Sequence, residues 1–238
     1  MADVAGGAVG GPAREVDRLR PALIDAPPSP RSPRQQEDIM SQEVPGAYGA
    51  RAESYHRLLG TADEVSPVEM DLITRWARTV EGRIIDAGAG SGRWTHVLHR
   101  MGLEVTGIDI TPELVAIGRR EYPGVDIAEG SMDALPAADG SLGGILAWYS
   151  LIHTPPEEMP DILAEFHRAL HPGGSILLGY IDGAEVTTIQ HPIAPTWSWP
   201  AAEMTHLLDD EGFRIIHSQH RQHAGTWPQA TVIAVKKQ

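Results

Sequence analysis

The 238-residue chain contains no cysteine. Disulfides and thiolate metal sites are therefore excluded, and the compartment stays open, with the cytoplasm as the default expectation. Basic residues are also scarce. Lys and Arg number 19 against 32 Asp and Glu, a net charge of −13. That balance speaks against a nucleic acid or an anionic membrane as partner, and it favours solubility. No apolar run approaches the roughly 20 residues of a membrane span. The N-terminus lacks the basic region and apolar core of a secretion signal, and no internal repeat is visible. At this length one domain can bury a full core without staples.

Residues 1 to about 45 differ in composition from the rest. "MADVAGGAVGGPA" and "DAPPSPRSPRQQ" are rich in Ala, Gly, Pro and Ser, and such stretches cannot repay their own ordering entropy. The expectation is a disordered extension over 1–45 and one domain over 46–238. Met40 stands just before the change, so an over-extended start or an expression leader is one source of the extension and a genuine tail another.

From "AYGARAESYHRLLG" onward the pattern is globular. "SPVEMDLITRWARTV" predicts a helix with Ser66 as N-cap, Pro67 at the first helical position and Glu69 in capping-box placement. "GRIIDAG" is a short buried strand and "SGRWTHVLHRMG" a helix closed by Gly102. "LEVTGIDI" is a strand, and "TPELVAIGRREY" a helix capped by Thr111. "VDIAEG", "LGGILAWYS" and "SILLGYI" are strands. "PPEEMPDILAEFHRALHPGG" is a helix stopping at Pro172, and "PAAEMTHLLDDEG" is another. "FRIIHSQH" and "ATVIAVKK" close the chain as strands. Strands alternating with helices predict a three-layer αβα sandwich around a mostly parallel sheet. Ligands of such sheets sit at the carboxyl ends of the strands.

That places "RIIDAGAGSGRW" at the ligand edge. Gly88, Gly90 and Gly92 make a turn whose backbone can approach a ligand with no β-carbons in the way. The dinucleotide spacing is G-x-G-x-x-G, whereas this chain reads G-x-G-x-G with Arg93 in the third slot. Asp86, directly before the turn, would repel a pyrophosphate. An NAD(P) site is thus disfavoured, and a ligand with a cationic amino group fits better. Asp109, ending the second strand roughly 20 residues on, stands where an acid binds ribose hydroxyls. Asp133, in "GSMDALP", can accept from an adenine amine with Ser131 and Met132 framing the ring; capping a helix is its other reading. Three acids at three strand ends describe amino-acid head, ribose and adenine, which together make S-adenosylmethionine.

The run "VEGRIIDAGAGSGRWTHVLHRMGLEVTGIDITPELVAIGRREY" resembles the opening of class I S-adenosylmethionine-dependent methyltransferases, in the small-molecule subgroup close to the ubiquinone-biosynthesis type. "SMDALPAADGSLGGILAWYSLIHTPPEEMPDILAEFHRALHPGGSILL" continues the resemblance. "EGFRIIHSQHR" with "ATVIAVKK" is similar to that fold's antiparallel closing hairpin. The resemblance implies a Rossmann-like sheet of seven strands, the last antiparallel. It implies that Asp86 faces the methionine amino group, that Ala87 and Gly88 to Gly92 line methionine and ribose, and that Asp109 holds the ribose. Ile110 would pack on adenine and Asp133 bind its amine. Arg93 would reach the cofactor carboxylate or stay exposed. "AYGARAESYHRLL" resembles the segment that folds over the cofactor, with Tyr48, Arg51 and Tyr55 as contacts. Strand four ends in "AWYS" where many relatives carry an acid, so a metal-dependent catechol mechanism loses support. The Asp/Asn-Pro-Pro-Tyr motif of amino-directed DNA methyltransferases is absent too.

Methyl transfer from a sulfonium is an in-line displacement that needs a base only when the acceptor must lose a proton. His153, in "SLIHTPP", is placed to be that base, or else to support the following helix. Tyr149 or Trp148 would shield the sulfonium while the other packs into the sheet, since strand neighbours face opposite ways. The insert "DGAEVTTIQHPIAPTWSWP" reads as a long irregular lid, its His191, Trp197 and Trp199 shaping a pocket for a flat apolar acceptor. Stapling the loop to the domain is the other role for those tryptophans. Neither "HSQHRQH" nor "THVLH" reads as a metal site. The expected function is metal-independent methylation of a small organic acceptor, releasing S-adenosylhomocysteine. A catalytically weak S-adenosylmethionine-binding sensor or partner subunit is the alternative, and a homodimer is left open.

Overall fold

The computed structural model describes residues 40–61, 65–189, 191, 193–222 and 226–237. Most of the expected extension, residues 1–39, lies outside the described residues. Helix α1 (Met40–Gly49) begins five positions inside the stretch that composition assigned to it, and α2 (Ala52–Leu59) follows. In α3 (Pro67–Ala77) the predicted cap is present, with Ser66 accepting a hydrogen bond from the Glu69 backbone N–H at 3.2 Å.

Strand β1 (Ile84–Ala87) is buried along its whole length. It pairs in parallel with β2 (Val105–Asp109) and with β4 (Leu142–Trp148), and α4 (Arg93–Arg100) connects β1 to β2. After α5 (Pro112–Glu121), β3 (Asp126–Glu129) adds to the outer side of β2. On the other side β4 pairs with β5 (Leu170–Asp182), reached through α6 (Met159–Ala169). Helix α7 (Ala201–Asp210) leads to the closing strands β8 (Phe213–Arg221) and β9 (Gln229–Lys236). β9 lies antiparallel on β5, with β8 outside it. Seven strands of the sheet therefore run β3-β2-β1-β4-β5-β9-β8.

Alternation along the strands sorts the core into two layers. Ile85, Ile145 and Ala147 point toward Phe166 of α6 and Met204 and Leu208 of α7. Their neighbours Ile84, Leu146 and Trp148 pack with Ile73 and Trp76 of α3 and with Trp94 and Leu98 of α4. This is the predicted three-layer sandwich. Beside it, Tyr48, Ala52 and Tyr55 pack on Leu114 and Ile117 of α5, laying α1 and α2 against the cofactor-side edge.

Four expectations are corrected. Among the described residues the sheet has nine strands rather than seven. The supposed irregular lid contains β6 (Thr187–Ile189) and β7 (Thr196–Trp199), an antiparallel hairpin. β4 pairs with β5 only up to Gly179, whereas β7 pairs in parallel with Ile181 and Asp182. β9 already holds the other edge of Ile181, so the hairpin fills the free edge just past the end of β4. Next, α6 ends at Ala169, before Pro172, because Leu170 already pairs with Leu142 of β4. Lastly, the Thr111 side chain makes no cap bond. It is spent on Asp109 instead.

Candidate functional site

A cavity of about 700 Å³ opens at the carboxyl ends of β1, β2, β4 and β5. One half is built by the glycine turn. Gly88 has φ 74° and a β-carbon there would collide with the Ser150 side chain, whose hydroxyl donates to the Ala87 carbonyl at 2.6 Å. Gly90, with φ 57°, lies under the Tyr55 ring and donates its N–H to Asp109 Oδ2 at 2.7 Å. Asp109 Oδ1 accepts from the Thr111 N–H at 2.8 Å. The carboxylate thus ties the turn to the end of β2, and its four lone-pair sites leave room for a ligand hydroxyl. Burial pushes its pKa up, against the pull of those N–H donors. Ile110, Ser131, Met132 and Asp133 continue the wall, with Ile110 52% exposed although apolar. An exposed aliphatic face at a pocket mouth suits a flat ring.

Asp86 does not share that wall. It is only 2% exposed and accepts from Thr95 Oγ1 at 2.7 Å. It lines a small adjoining chamber of about 40 Å³, with Gly88, Arg93 and Trp148 common to both spaces. The chamber has room for about one small polar group. Burial raises the Asp86 pKa to about 6. The expectation of three carboxylates along one groove is therefore corrected to two on the groove and one behind the turn.

In the other half, Tyr149 stands at the end of β4 with φ 54°, strained for a residue other than glycine. Trp148 lines the cavity beside it and meets Tyr149 and Trp94 edge-on. His153 Nδ1 lies 2.7 Å from the Pro195 carbonyl and 3.2 Å from Thr196 Oγ1. A carbonyl only accepts, so Nδ1 carries the proton and Nε2 is the acceptor. Tyr48 Oη donates to that Nε2 at 2.8 Å. Burial holds the His153 pKa below its usual value and pushes the Tyr48 and Tyr55 hydroxyls up. His153 is accordingly a neutral, oriented imidazole on the cavity wall, edge-on to His191.

Other expected contacts fall elsewhere. Arg51 is exposed at the α1–α2 junction and folds back toward the Ala47 carbonyl at 3.4 Å. Ala87 and Gly92 are buried under the turn, where Ala87 serves through its carbonyl and Gly92 as the left-handed N-cap of α4. Trp199 belongs to the main core and Trp197 packs against it, so both staple the hairpin instead of facing the cavity. Sequence reasoning missed Ser66, Glu69, Arg221, Trp227 and Gln229, all on the cavity wall. They come from α3 and the closing hairpin, far from any motif. The one local signal was the pair Ser66 and Glu69, visible only as capping residues. Among the described residues no three His, Asp or Glu side chains gather as a metal-ligating group, and no helix is long and apolar enough to cross a membrane.

The sheet order, the glycine turn and an acid bonded to it define a nucleoside-binding α/β domain. Residues 84–174 match the family described as a methyltransferase domain. The chain is 35% identical over 95 residues to a demethylmenaquinone methyltransferase of Chlorobaculum parvum, covering 40% of this chain and 39% of that protein. It is 29% identical over 123 residues to a ubiquinone biosynthesis O-methyltransferase of Xanthomonas oryzae, covering 50% and 51%. The matches thus span about half the length of these relatives or less. Among solved structures, the Burkholderia thailandensis 1,6-didemethyltoxoflavin-N1-methyltransferase with bound 1,6-didemethyltoxoflavin and S-adenosylhomocysteine superposes with a TM-score of 0.68, at 18% identity, over 90% of this chain and 94% of that one. At that identity the likeness shows the fold alone. The family match therefore identifies residues 84–174 as a methyltransferase domain, and the likeness to the solved structure extends the shared fold beyond it.

Proposed function

We propose that the protein transfers a methyl group from S-adenosylmethionine to a small organic acceptor, by in-line displacement and without a metal. The observation that carries this reading is a single cavity with two differently built halves. One is a bare-backbone turn with an acid bonded to it, the other an aromatic wall with a neutral imidazole. The residues fit the cofactor: Gly88 and Gly90 leave a cradle that a β-carbon would fill or crowd, and Asp109, bonded to the Gly90 N–H, the Thr111 N–H and the Thr111 hydroxyl, retains one free acceptor site. Asp109 would hold the ribose, Ile110 and Met132 flank the base, and Asp133 accept from its amine. The chamber before Asp86 is sized for the amino group of the methionine part, and Arg93 stands at its mouth for the carboxylate.

Bound S-adenosylmethionine supplies the sulfonium methyl that the acceptor takes. The chain's own part is to align the acceptor, exclude water and, where a hydroxyl reacts, receive its proton. His153 Nε2 is the site for that proton once Tyr48 Oη yields its bond. The paired Nδ1–H and Pro195 carbonyl keep the ring in the needed tautomer. Calorimetry with S-adenosylhomocysteine tests the reading. Binding by the wild type is expected, with at least tenfold weakening in Asp109→Ala, and a wild type that does not bind sinks it. The Tyr48 bond to His153 also favours a second reading, a binding module with little turnover. Methylation of any acceptor in a broad panel would dismiss it.

A further inference from the structure

The cavity wall opposite the glycine turn holds more hydrogen-bond donors than the protein satisfies. Arg221 ends β8 and pairs with Gln229 at the start of β9, which in turn pairs with Ile181 at the end of β5. Tyr149 closes β4 beside them, and Trp227 precedes β9. All of these residues line the cavity. Arg221 Nε and Nη2 and Trp227 Nε1 are buried without a well-formed hydrogen bond among the described residues, and the Tyr149 hydroxyl lies against the guanidinium with its own O–H unspent. Nε and Nη2 form one edge of the guanidinium, the edge that gives two parallel N–H···O bonds to a carboxylate. The Arg221 side chain is 12% exposed, and its closest carboxylate oxygen, Glu69 Oε1, is 3.7 Å away, outside hydrogen-bond reach. Glu69 is held instead toward the backbone of Ser66, and its burial disfavours its charge. A buried guanidinium whose donors are unmade is costly. What completes this wall must bring acceptors.

We propose that Arg221, with Tyr149 and Trp227, forms a subsite for a carboxylate on the methyl acceptor. The proposal rests on the reading of this cavity as the place of methyl transfer, and it names the class of acceptor: a flat, largely apolar carboxylic acid. Trp148, Ile152, Ile162 and Ile181 supply the apolar surface for its body. Glu69, Glu158 and Asp161 on the same wall would repel a dianion, so a singly charged carboxylate suits the site better than a phosphate.

The test uses benzoate and benzamide as probes of the full chain, titrated by calorimetry with and without S-adenosylhomocysteine. Benzoate is expected to bind at least tenfold more tightly than benzamide, and Arg221→Gln to abolish the preference. Glu69→Gln removes the competing carboxylate and is expected to strengthen benzoate binding at least threefold, a gain that a misfolded variant would not give. Equal affinity for the two probes, no binding of either at millimolar concentration, or a preference that survives Arg221→Gln overturns the proposal. Failure of S-adenosylhomocysteine to bind counts against the methyltransferase reading instead, while the benzoate preference still decides this one.

Discussion

Replacing Asp86 by asparagine is expected to stabilise the protein at neutral pH and to change little at pH 4. The carboxyl is buried behind the glycine turn, and burial raises its pKa to about 6 from an ordinary 3.8, even though Thr95 donates to it. In the unfolded chain it titrates near its ordinary value, about 3.9. Between roughly pH 4 and 6 the folded protein therefore binds more protons than the unfolded chain, so stability falls as pH rises through that window and stays at the lower level above it. A shift of about 2 units corresponds to about 3 kcal/mol. Asparagine has the shape of the protonated acid, and its carbonyl can still accept from Thr95, but it carries no charge to desolvate. Urea unfolding of both proteins at pH 4 and pH 7.5 gives the measurement. The variant's advantage should grow by about 3 kcal/mol between the two, and any fixed packing difference cancels. Glu69, which burial also shifts upward, contributes equally to both proteins, while Asp109, whose charge helps raise Asp86, adds a smaller part of the same sign. An advantage that does not change with pH, or a wild type favoured at pH 7.5, would refute the reasoning. The same variant tests function: if Asp86 faces a cationic amino group, S-adenosylhomocysteine should bind at least tenfold more weakly at pH 7.5.

Gly88→Ala should lose about 2–5 kcal/mol in urea unfolding, from the left-handed backbone plus collision with Ser150; adding Ser150→Gly should recover only the collision part. Tyr48→Phe removes the donor on His153 Nε2, which favours the neutral ring, so the His153 pKa should rise when followed by NMR; an unchanged or lower value would show that the bond is not made in solution. Trp199→Ala should cost about 3–5 kcal/mol of stability yet leave S-adenosylhomocysteine affinity unchanged, because the ring lies in the core; a selective loss of affinity would return it to the site.

The features readable without coordinates are those whose cause is local. Glycines at 88, 90 and 92 declare a backbone with positive φ, and all three adopt it. Ser66, Pro67 and Glu69 declare a helix start because the capping bonds lie within one turn. Near-continuous runs of apolar and small residues in β1 and β4 declare strands buried on both faces. The acids at 109 and 133 sit at strand ends, and a parallel sheet brings such ends to one edge whatever else the chain does.

What the tertiary structure decided are distances between residues far apart in the chain. Tyr48 and His153 are separated by 105 positions and meet only because α1 and α2 lie on α5 beside the end of β4. Arg221 faces the cavity because the closing hairpin brings the end of β8 past the end of β5, where it comes within 3.7 Å of Glu69 from α3. Which way a side chain points after a tight turn is likewise set by its neighbours. Thr95 draws Asp86 back behind the glycines, and the core takes the tryptophans of the β6–β7 hairpin away from the ligand. Residue type and spacing determined the kind of site; packing between distant segments determined which side chains face it.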